Sequence, residues 1–175
     1  MAVKYTTKKN MFPKMEANIK KLHGKNIKVG HLDGGEQAWL AGIHEYGCDI
    51  EITPEMRAWL HYNGLHVKDS TTHIHIPERA FLRNGFDEHH KAVVDKCEKA
   101  LGACLAEGNI DPVLDSVGVL LRDKIRDYGV DLRTPPNHPF TIERKGSSNP
   151  LVGGGDQSDN SNGGDMLEAL TYEVE

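Results

Sequence analysis

The sequence predicts an α+β fold in which a small antiparallel sheet packs against two long helices, with short helices and long loops around them. Two stretches between residues 86 and 128 carry apolar residues at helical spacing, which indicates the two long helices. Several short segments alternate apolar and polar side chains, as half-buried strands do. The 18 glycines and 8 prolines indicate many turns. A length of 175 residues suits a single domain over residues 1–175.

The first elements are predicted to be a short helix, a strand and a second helix. Met15, Ile19 and Leu22 recur at helical spacing, and a glycine at position 24 ends that helix. Residues 27–30 then alternate as a short strand. Further apolar residues at positions 39, 43 and 46 share one helical face, and Gly47 supplies the helix stop.

The next segment is predicted to contain a capped helix and two paired strands. Thr53 is placed to cap a helix that has proline at its first position and buries residues 56 and 60. Residues 65–67 and 72–76 are predicted to be strands joined across residues 68–71. In the second of these strands, the histidines point to one side and the isoleucines to the other.

The two long helices are predicted over residues 86–107 and 112–128. Asp111 is expected to cap the second helix, and Gly129 to stop it. Residues 146–165 are expected to form a flexible polar loop, because they offer too little apolar surface to offset the entropy of ordering. A helical turn at residues 166–170 and a closing strand at residues 171–174 are predicted to follow, with the strand pairing into the sheet.

Charge is divided unevenly along the chain, although the formal total is only −5. Residues 1–28 hold eight lysines and one acidic residue, whereas residues 156–175 hold six acidic residues and no lysine or arginine. This polarity indicates a partner surface at one end or both, unless the charges only keep the termini solvated. The basic end suits nonspecific contact with passing DNA. Sequence-specific binding of nucleic acid is not expected, because that end has only two aromatic residues and no arginine.

Cysteine usage and hydropathy bear on location. The three cysteines, at positions 48, 97 and 104, have no paired spacing that indicates a disulfide, which favours assembly in a reduced, intracellular compartment. No stretch reaches the ~18 apolar residues of a membrane span, and the N-terminus has no apolar signal-peptide core. The sequence therefore predicts neither membrane contact nor export.

No enzyme signature stands out in the sequence. There is no Gly-x-Ser-x-Gly motif, and the glycine runs lack the spacing of a phosphate-binding loop. One alternative stays open, a small metal-binding module or metal-dependent hydrolase built on His66, His73 and His75. Along a strand, the last two would lie roughly 6.5–7 Å apart, a distance that suits two ligands of one ion. The simpler interpretation is a solvent-facing or interface strand, with no metal, cofactor or catalytic residue.

Six segments form an ordered set of motifs. They are residues 43–47 (Ile-His-Glu-Tyr-Gly), 76–83 (Ile-Pro-Glu-Arg-Ala-Phe-Leu-Arg), 141–145, 150–151, 166–167 and 171–174. Together they resemble the tail-completion and head–tail joining proteins of tailed bacteriophages, with order and approximate spacing matching over about residues 27–175. The first two segments resemble that family's first and central motifs. The sequence departs from the family at position 80, where alanine replaces the usual proline, and in a polar insertion over residues 153–164.

The resemblance implies a structural virion protein, not an enzyme, that completes the tail or joins it to the head at the neck. It implies a ring of copies, often six, in contact with other neck or tail proteins such as the connector, the tail terminator and the tail tube. The protein would reside in the virion after assembly in the host cytoplasm. A ring also suits the expected sheet, because neighbouring copies would cover its open edges.

The motif residues then acquire expected structural roles. Gly47 is expected to form a turn. Phe81 and Leu82 are expected to anchor the start of a long helix in the core. The full set of structural motif positions is Gly47, Ile76, Pro77, Phe81, Leu82 and Tyr172.

Charged motif residues are expected to form ion pairs. Arg79 and Arg83 are four residues apart and are expected to pair with Glu45 or Glu78, or with a carboxylate of an adjacent subunit. Proline and apolar residues near the later motifs are expected to join them at a subunit interface. The side chains expected at that interface are Glu45, Arg79, Arg83, Pro135, Pro136, Leu151 and Val152.

Overall fold

A computed structural model describes residues 10–107, 110–153 and 165–175. Within these residues, seven helices and four strands form an α+β arrangement, which confirms the predicted fold class. The first elements are α1 (Phe12–Leu22), β1 (Ile27–Gly30), α2 (Glu36–Tyr46), β2 (Cys48–Glu51), α3 (Pro54–Tyr62) and β3 (His73–Ile76). They are followed by α4 (Phe81–Glu107), α5 (Asp111–Asp131), α6 (Pro139–Lys145), α7 (Asp165–Glu168) and β4 (Thr171–Val174).

The two long helices, α4 and α5, pack along each other, and both contribute buried residues to the core. They approach closely at Gly85, where a Cβ atom would lie 3.2 Å from the Ile125 Cα. Phe81 is fully buried and Leu82 packs against the core, so both anchor the start of α4 as expected. The buried core cluster consists of Ala41, Phe81, Val93, Leu121, Ile125, Leu132, Leu151, Met166, Leu167 and Leu170.

The four strands form two separate antiparallel pairs. In one sheet β1 pairs with β4, and in the other β2 pairs with β3. The predicted closing strand at residues 171–174 is therefore confirmed. It also packs against α5, because a Cβ at Gly118 would lie only 2.2 Å from the Tyr172 ring atom Cδ2.

The predicted strand at residues 65–67 is wrong. Residues 65–68 have no regular structure, and β3 takes β2 as its partner instead. The reason lies in Arg57 of α3, whose guanidinium donates hydrogen bonds to the backbone oxygens of Val67, Lys68 and Thr71 at 2.7–3.2 Å. These oxygens are thereby engaged by a side chain and are not free for a hairpin. The predicted cap is confirmed, since Thr53 Oγ1 accepts a bond from the Met56 N–H at 3.2 Å.

The long helices differ from their predicted limits at three ends. Helix α4 begins at Phe81, earlier than the predicted residue 86. Asp111 is the first residue of α5 and not its cap, which is Ile110 without a side-chain bond. The predicted stop at Gly129 is wrong, because α5 continues to Asp131. Gly129 instead allows close packing, since a Cβ there would lie 2.7 Å from Leu167 Cδ2.

The prediction of a flexible loop over residues 146–165 is wrong for its first part, which is anchored to the rest of the fold. Pro150 and Leu151 are buried, and Asn149 holds this segment on the end of α5. The Asn149 side-chain nitrogen donates to the backbone oxygens of Val130 at 2.6 Å and Leu132 at 3.2 Å. Its side-chain oxygen accepts from two following backbone N–H groups at 2.7 Å. Residues 154–164 of the predicted loop lie outside the described residues.

Helix α6 was not predicted. His138 Nδ1 accepts from the Phe140 N–H at 3.3 Å, and Gly146 ends the helix with a φ of +67°. In the described ranges, no helix has the combination of length and apolar character needed to cross a membrane.

Candidate functional site

The first and central motifs lie side by side in the fold. The end of α2, residues 76–80 and the start of α4 meet there, and residues 135–137 bond to them; we call this region the motif junction. The Arg79 N–H donates to the His44 backbone oxygen at 2.7 Å. Gly47 has a φ of +74°, and a Cβ there would lie 2.8 Å from the Ile76 backbone oxygen. The expected turn at Gly47 is confirmed, and glycine is what permits this close approach.

Glu45 caps helix α4 from a different element of the fold. Its side chain is only 3% exposed. Oε2 accepts from the Leu82 N–H at 2.9 Å, and Oε1 accepts from the Arg83 N–H at 3.0 Å. These N–H groups would otherwise have no partner in the first turn, and a negative charge there interacts favourably with the helix dipole. The earlier start of α4 is explained by this cap.

Arg83 forms the expected ion pairs within the subunit. Its Nε donates to Glu45 Oε1 at 2.9 Å, and its Nη2 donates to Glu78 Oε1 at 2.7 Å. The Glu45 carboxylate is buried, whereas Glu78 and the arginine are about half exposed. The pair with Glu45 therefore contributes more to the stability of the fold than the pair with Glu78, since exposed ion pairs contribute little.

Arg79 does not pair with either expected glutamate, so that prediction is wrong. Its side chain, only 5% exposed, donates to neutral acceptors: the Pro135 oxygen at 3.1 Å and Asn137 Oδ1 at 2.8 Å. A third bond runs to His44 Nδ1 at 3.2 Å. Burial lowers the pKa of Arg79 from its ordinary value. Arg79 thus fastens residues 135–137 to the end of α2.

His44 and Lys145 complete a basic group around Arg79. Lys145 Nζ donates to the backbone oxygens of Asn149 and Pro150 at 3.3 and 3.1 Å, and burial together with Arg79 lowers its pKa. Burial, reinforced by the charges of Arg79 and Lys145, lowers the pKa of His44 to about 4. Because arginine can only donate, His44 Nδ1 is the acceptor, and its ring is neutral near pH 7.

We expect His44 to make the fold less stable in acid. Its pKa of about 4 in the folded chain lies below the ordinary 6.5, so between these values the unfolded chain binds a proton that the folded chain excludes. The stabilising effect is full above about pH 6.5 and is lost as the pH falls towards about 4. With a discount for the partial exposure of the ring, the loss is about 2 kcal/mol.

Urea unfolding at about pH 7.5 and about pH 4.5 measures this loss. His44→Gln keeps an acceptor for Arg79 without titrating, so the difference in unfolding free energy between the two pH values should shrink in this variant. The control is His23→Gln, which changes an exposed ring. An equal pH dependence in the wild type and His44→Gln would contradict the expectation.

The outer side of the motif junction carries exposed aromatic and proline side chains. Tyr46 is 70% exposed, and the Arg83 guanidinium carbon lies 4.9 Å from the centre of its ring. Trp39, also on α2, is 69% exposed. Pro136 is exposed and Pro135 half-buried. These side chains leave a partly aromatic surface beside the buried charges.

The side chains expected at a subunit interface divide into two groups. Glu45, Arg79 and Leu151 are buried within the subunit, so their side chains do not offer contacts to a neighbour. Arg83 and Val152, like the two prolines, are at least partly exposed. Only the second group is placed to contact another chain.

The histidines of the metal hypothesis do not converge. His66 lies outside any strand, and its Nδ1 is 2.7 Å from His61 Nδ1. His73 and His75 lie on the exposed face of β3, where His75 Nδ1 is 2.7 Å from Asp49 Oδ1. Across the parts of the chain that the structure describes, no three His, Cys, Asp or Glu side chains form a group able to hold a metal ion.

The motif junction is a buried network of contacts that holds three parts of the fold together, and its outer side is exposed. Its buried charges, Glu45 and Arg79, are held by backbone groups and neighbouring side chains and do not pair with each other, and its outer side is aromatic. Comparison with family models, curated proteins and solved structures finds no match for this chain. The interpretation of the junction therefore depends on its own residues and their geometry.

Proposed function

We propose that this chain is a structural virion protein of a tailed bacteriophage that completes the tail or joins it to the head. The observation that carries the proposal is the meeting of the first and central motifs at the motif junction. Glu45 of the first motif caps the helix that the central motif begins, and Arg79 of the central motif bonds to the His44 ring and residues 135–137. The two segments that resemble the family's first and central motifs therefore form one structural unit, which supports the proposal.

The working form we propose is a ring of copies, six by the resemblance. Among the described residues, each strand of the two sheets has one edge without a partner strand, and an isolated two-stranded pair is marginal in water. Exposed aromatic side chains on α2 and α3 add apolar surface, with Tyr62 89% and Trp59 53% exposed. Such surface suits contact with neighbouring copies or with the connector, tail terminator or tail tube. Head-to-tail contacts that close by rotation produce a ring.

The mass and shape of the purified chain test the ring. Light scattering is expected to give a mass near six times the subunit mass of 19.4 kDa, alone or with connector or tail-tube protein present. Negative-stain electron microscopy should then show rings with a central opening. A chain that stays monomeric at every concentration, with and without those proteins, contradicts the ring.

Deletion of the gene from its phage tests the role at the neck. We expect heads and tails to accumulate separately in the infected cell, and a plasmid copy of the gene to restore joined particles. A plasmid copy carrying Trp39→Ala tests whether the exposed surface of α2 is needed for joining, because this side chain is exposed and not part of the core. Normal joining of heads and tails in the deletion would exclude the proposed function.

A further inference from the structure

The sheet formed by β1 and β4 has two free edges whose backbone groups can be assigned. Asn26 and Glu175 exchange both backbone hydrogen bonds, at 3.0 and 2.9 Å. From that pair onward, opposite residues of β1 and β4 are alternately non-hydrogen-bonded and hydrogen-bonded. In the register Ile27↔Val174 and Val29↔Tyr172, these four residues therefore direct their N–H and C=O groups away from the partner strand. Within the described residues, no third strand accepts them.

The two free edges carry opposite charge. On β1 the exposed side chain is Lys28, whereas β4 presents Glu173 and is followed by Glu175. Two β1 edges placed together would bring lysine against lysine, and two β4 edges would bring glutamate against glutamate. Only β1 against β4 places unlike charges next to each other, and cross-strand pairs of unlike charge are favourable.

The residues whose backbone groups point outward at the two free edges have their side chains on the apolar face of the sheet. The outward-directed residues, Ile27 and Val29 on β1 and Tyr172 and Val174 on β4, are all partly buried. An antiparallel contact in the same register would therefore continue the apolar face across the boundary. Lys28 would then lie between the Glu173 of its own chain and the Glu173 of the second copy. Glutamate and lysine would therefore alternate from strand to strand across the extended sheet.

We infer that β1 of one copy pairs with β4 of a second copy of this chain, which extends the sheet from subunit to subunit. The contact is head-to-tail, since two different edges meet, and such a contact builds a ring when the rotation between copies closes, and not a two-fold dimer. Like charges on matching edges exclude the two-fold alternatives. This inference rests on the ring of the proposed function and names the surface that forms it.

The sheet formed by β2 and β3 is a weaker candidate. Its acidic strand carries Asp49 and Glu51, but the opposite strand carries His73 and His75 and no lysine or arginine. Lys28 is charged at pH 7, because the ordinary pKa of lysine lies well above 7, and its hydrogen bond to Glu175 raises that pKa further.

Two charge reversals, made singly and then mixed, test the contact. Lys28→Glu alone places glutamate against glutamate between subunits, and Glu173→Lys alone places lysine against lysine. Each is expected to weaken every contact by roughly tenfold, so that rings are lost at concentrations where the wild type assembles. When the two variants are mixed in equal amounts, each contact in an alternating ring again joins unlike charges, and assembly is expected to return.

Assembly of the mixture distinguishes a lost contact between subunits from a lost contact within each subunit. Each variant also loses an attraction between its own β1 and β4, and mixing cannot repair that. Matched controls are Lys91→Glu and Asp95→Lys, which reverse exposed charges on α4. These two variants are expected to assemble like the wild type. Circular dichroism melting of each variant shows that it is folded.

Ile27→Pro gives an independent test without a change of charge. The Ile27 N–H points away from β4, so proline there leaves the ladder within the subunit intact and blocks only the outer edge. The variant should be folded and monomeric. If the wild type forms rings but Ile27→Pro and both charge reversals form them equally well, the edge contact is wrong and the proposed function stands. If the wild type forms no ring under any condition, the edge contact and the ring are both wrong, and the gene deletion alone decides the role at the neck.

Discussion

Gly118→Ala is expected to destabilise the fold by about 2–3 kcal/mol, although alanine is the better helix former. A Cβ at this position would lie 2.2 Å from Tyr172 Cδ2 and 2.8 Å from Cγ. These atoms belong to a rigid ring near the backbone of β4, so the ring cannot move aside without moving the strand. The sheet formed by β1 and β4 would have to lift off α5.

Thermal or urea unfolding measures this cost, which corresponds to a fall in Tm of roughly 4–12 °C for a chain of this size. Gly102→Ala is the matched control, because Gly102 lies within α4 and a Cβ there meets nothing within 4 Å. That change should stabilise by about 0.5–1 kcal/mol. In a Tyr172→Ala background, the penalty of Gly118→Ala should largely disappear, since the clashing ring is gone. Equal effects at positions 118 and 102 would show that β4 does not pack on α5 as described.

The sequence was a good guide wherever structure is decided by neighbouring residues. Thr53 followed by proline predicted the start of α3, because capping depends on groups within one turn. The alternation at residues 27–30 and 171–174 predicted two strands, and both form. The apolar spacing of the long helices predicted them, because that spacing is a property of each helix alone.

The sequence misled where a distant side chain decides the outcome. Arg57 engages the backbone of residues 67–71, and nothing in that segment itself signals the loss of a strand. The polar composition of residues 146–153 predicted a loose loop, but Asn149 binds the free carbonyls at the end of α5. Four-residue strands also leave the choice of partner open, so the sequence did not indicate that β3 pairs with β2.

The candidate site was predicted in part for the same reason. Arg83 and Glu45 were expected to pair, and they do, since opposite charges in two motifs suffice to suggest it. The neutral partners of Arg79 were not foreseen, because backbone oxygens carry no sequence signal. His44 lies in the first motif without any visible role there, and its lowered pKa arises from burial and from two cations that only the fold brings near.

Glu45→Ala is expected to cost about 3 kcal/mol of unfolding free energy, the largest effect of a single side-chain truncation at the motif junction. The change removes the acceptor for the N–H groups of Leu82 and Arg83 and for the Arg83 guanidinium at once. Glu45 is 3% exposed, so water cannot replace its carboxylate unless the motif junction opens. The charge-assisted character of these bonds makes each stronger than a neutral one.

A comparison of three variants shows whether the cap or the ion pair matters more. Glu78→Ala removes the exposed partner of the same arginine and is expected to cost under about 0.5 kcal/mol. Glu45→Gln keeps one acceptor for the helix start but loses the charge, and is expected to lie between the other two. Hydrogen exchange adds a local measure, because the amides of Leu82 and Arg83 should lose protection in Glu45→Ala and keep it in Glu78→Ala. Equal losses of stability in Glu45→Ala and Glu78→Ala would mean that α4 does not depend on its cap, and the interlocking of the two motifs would then carry no weight for the proposed function.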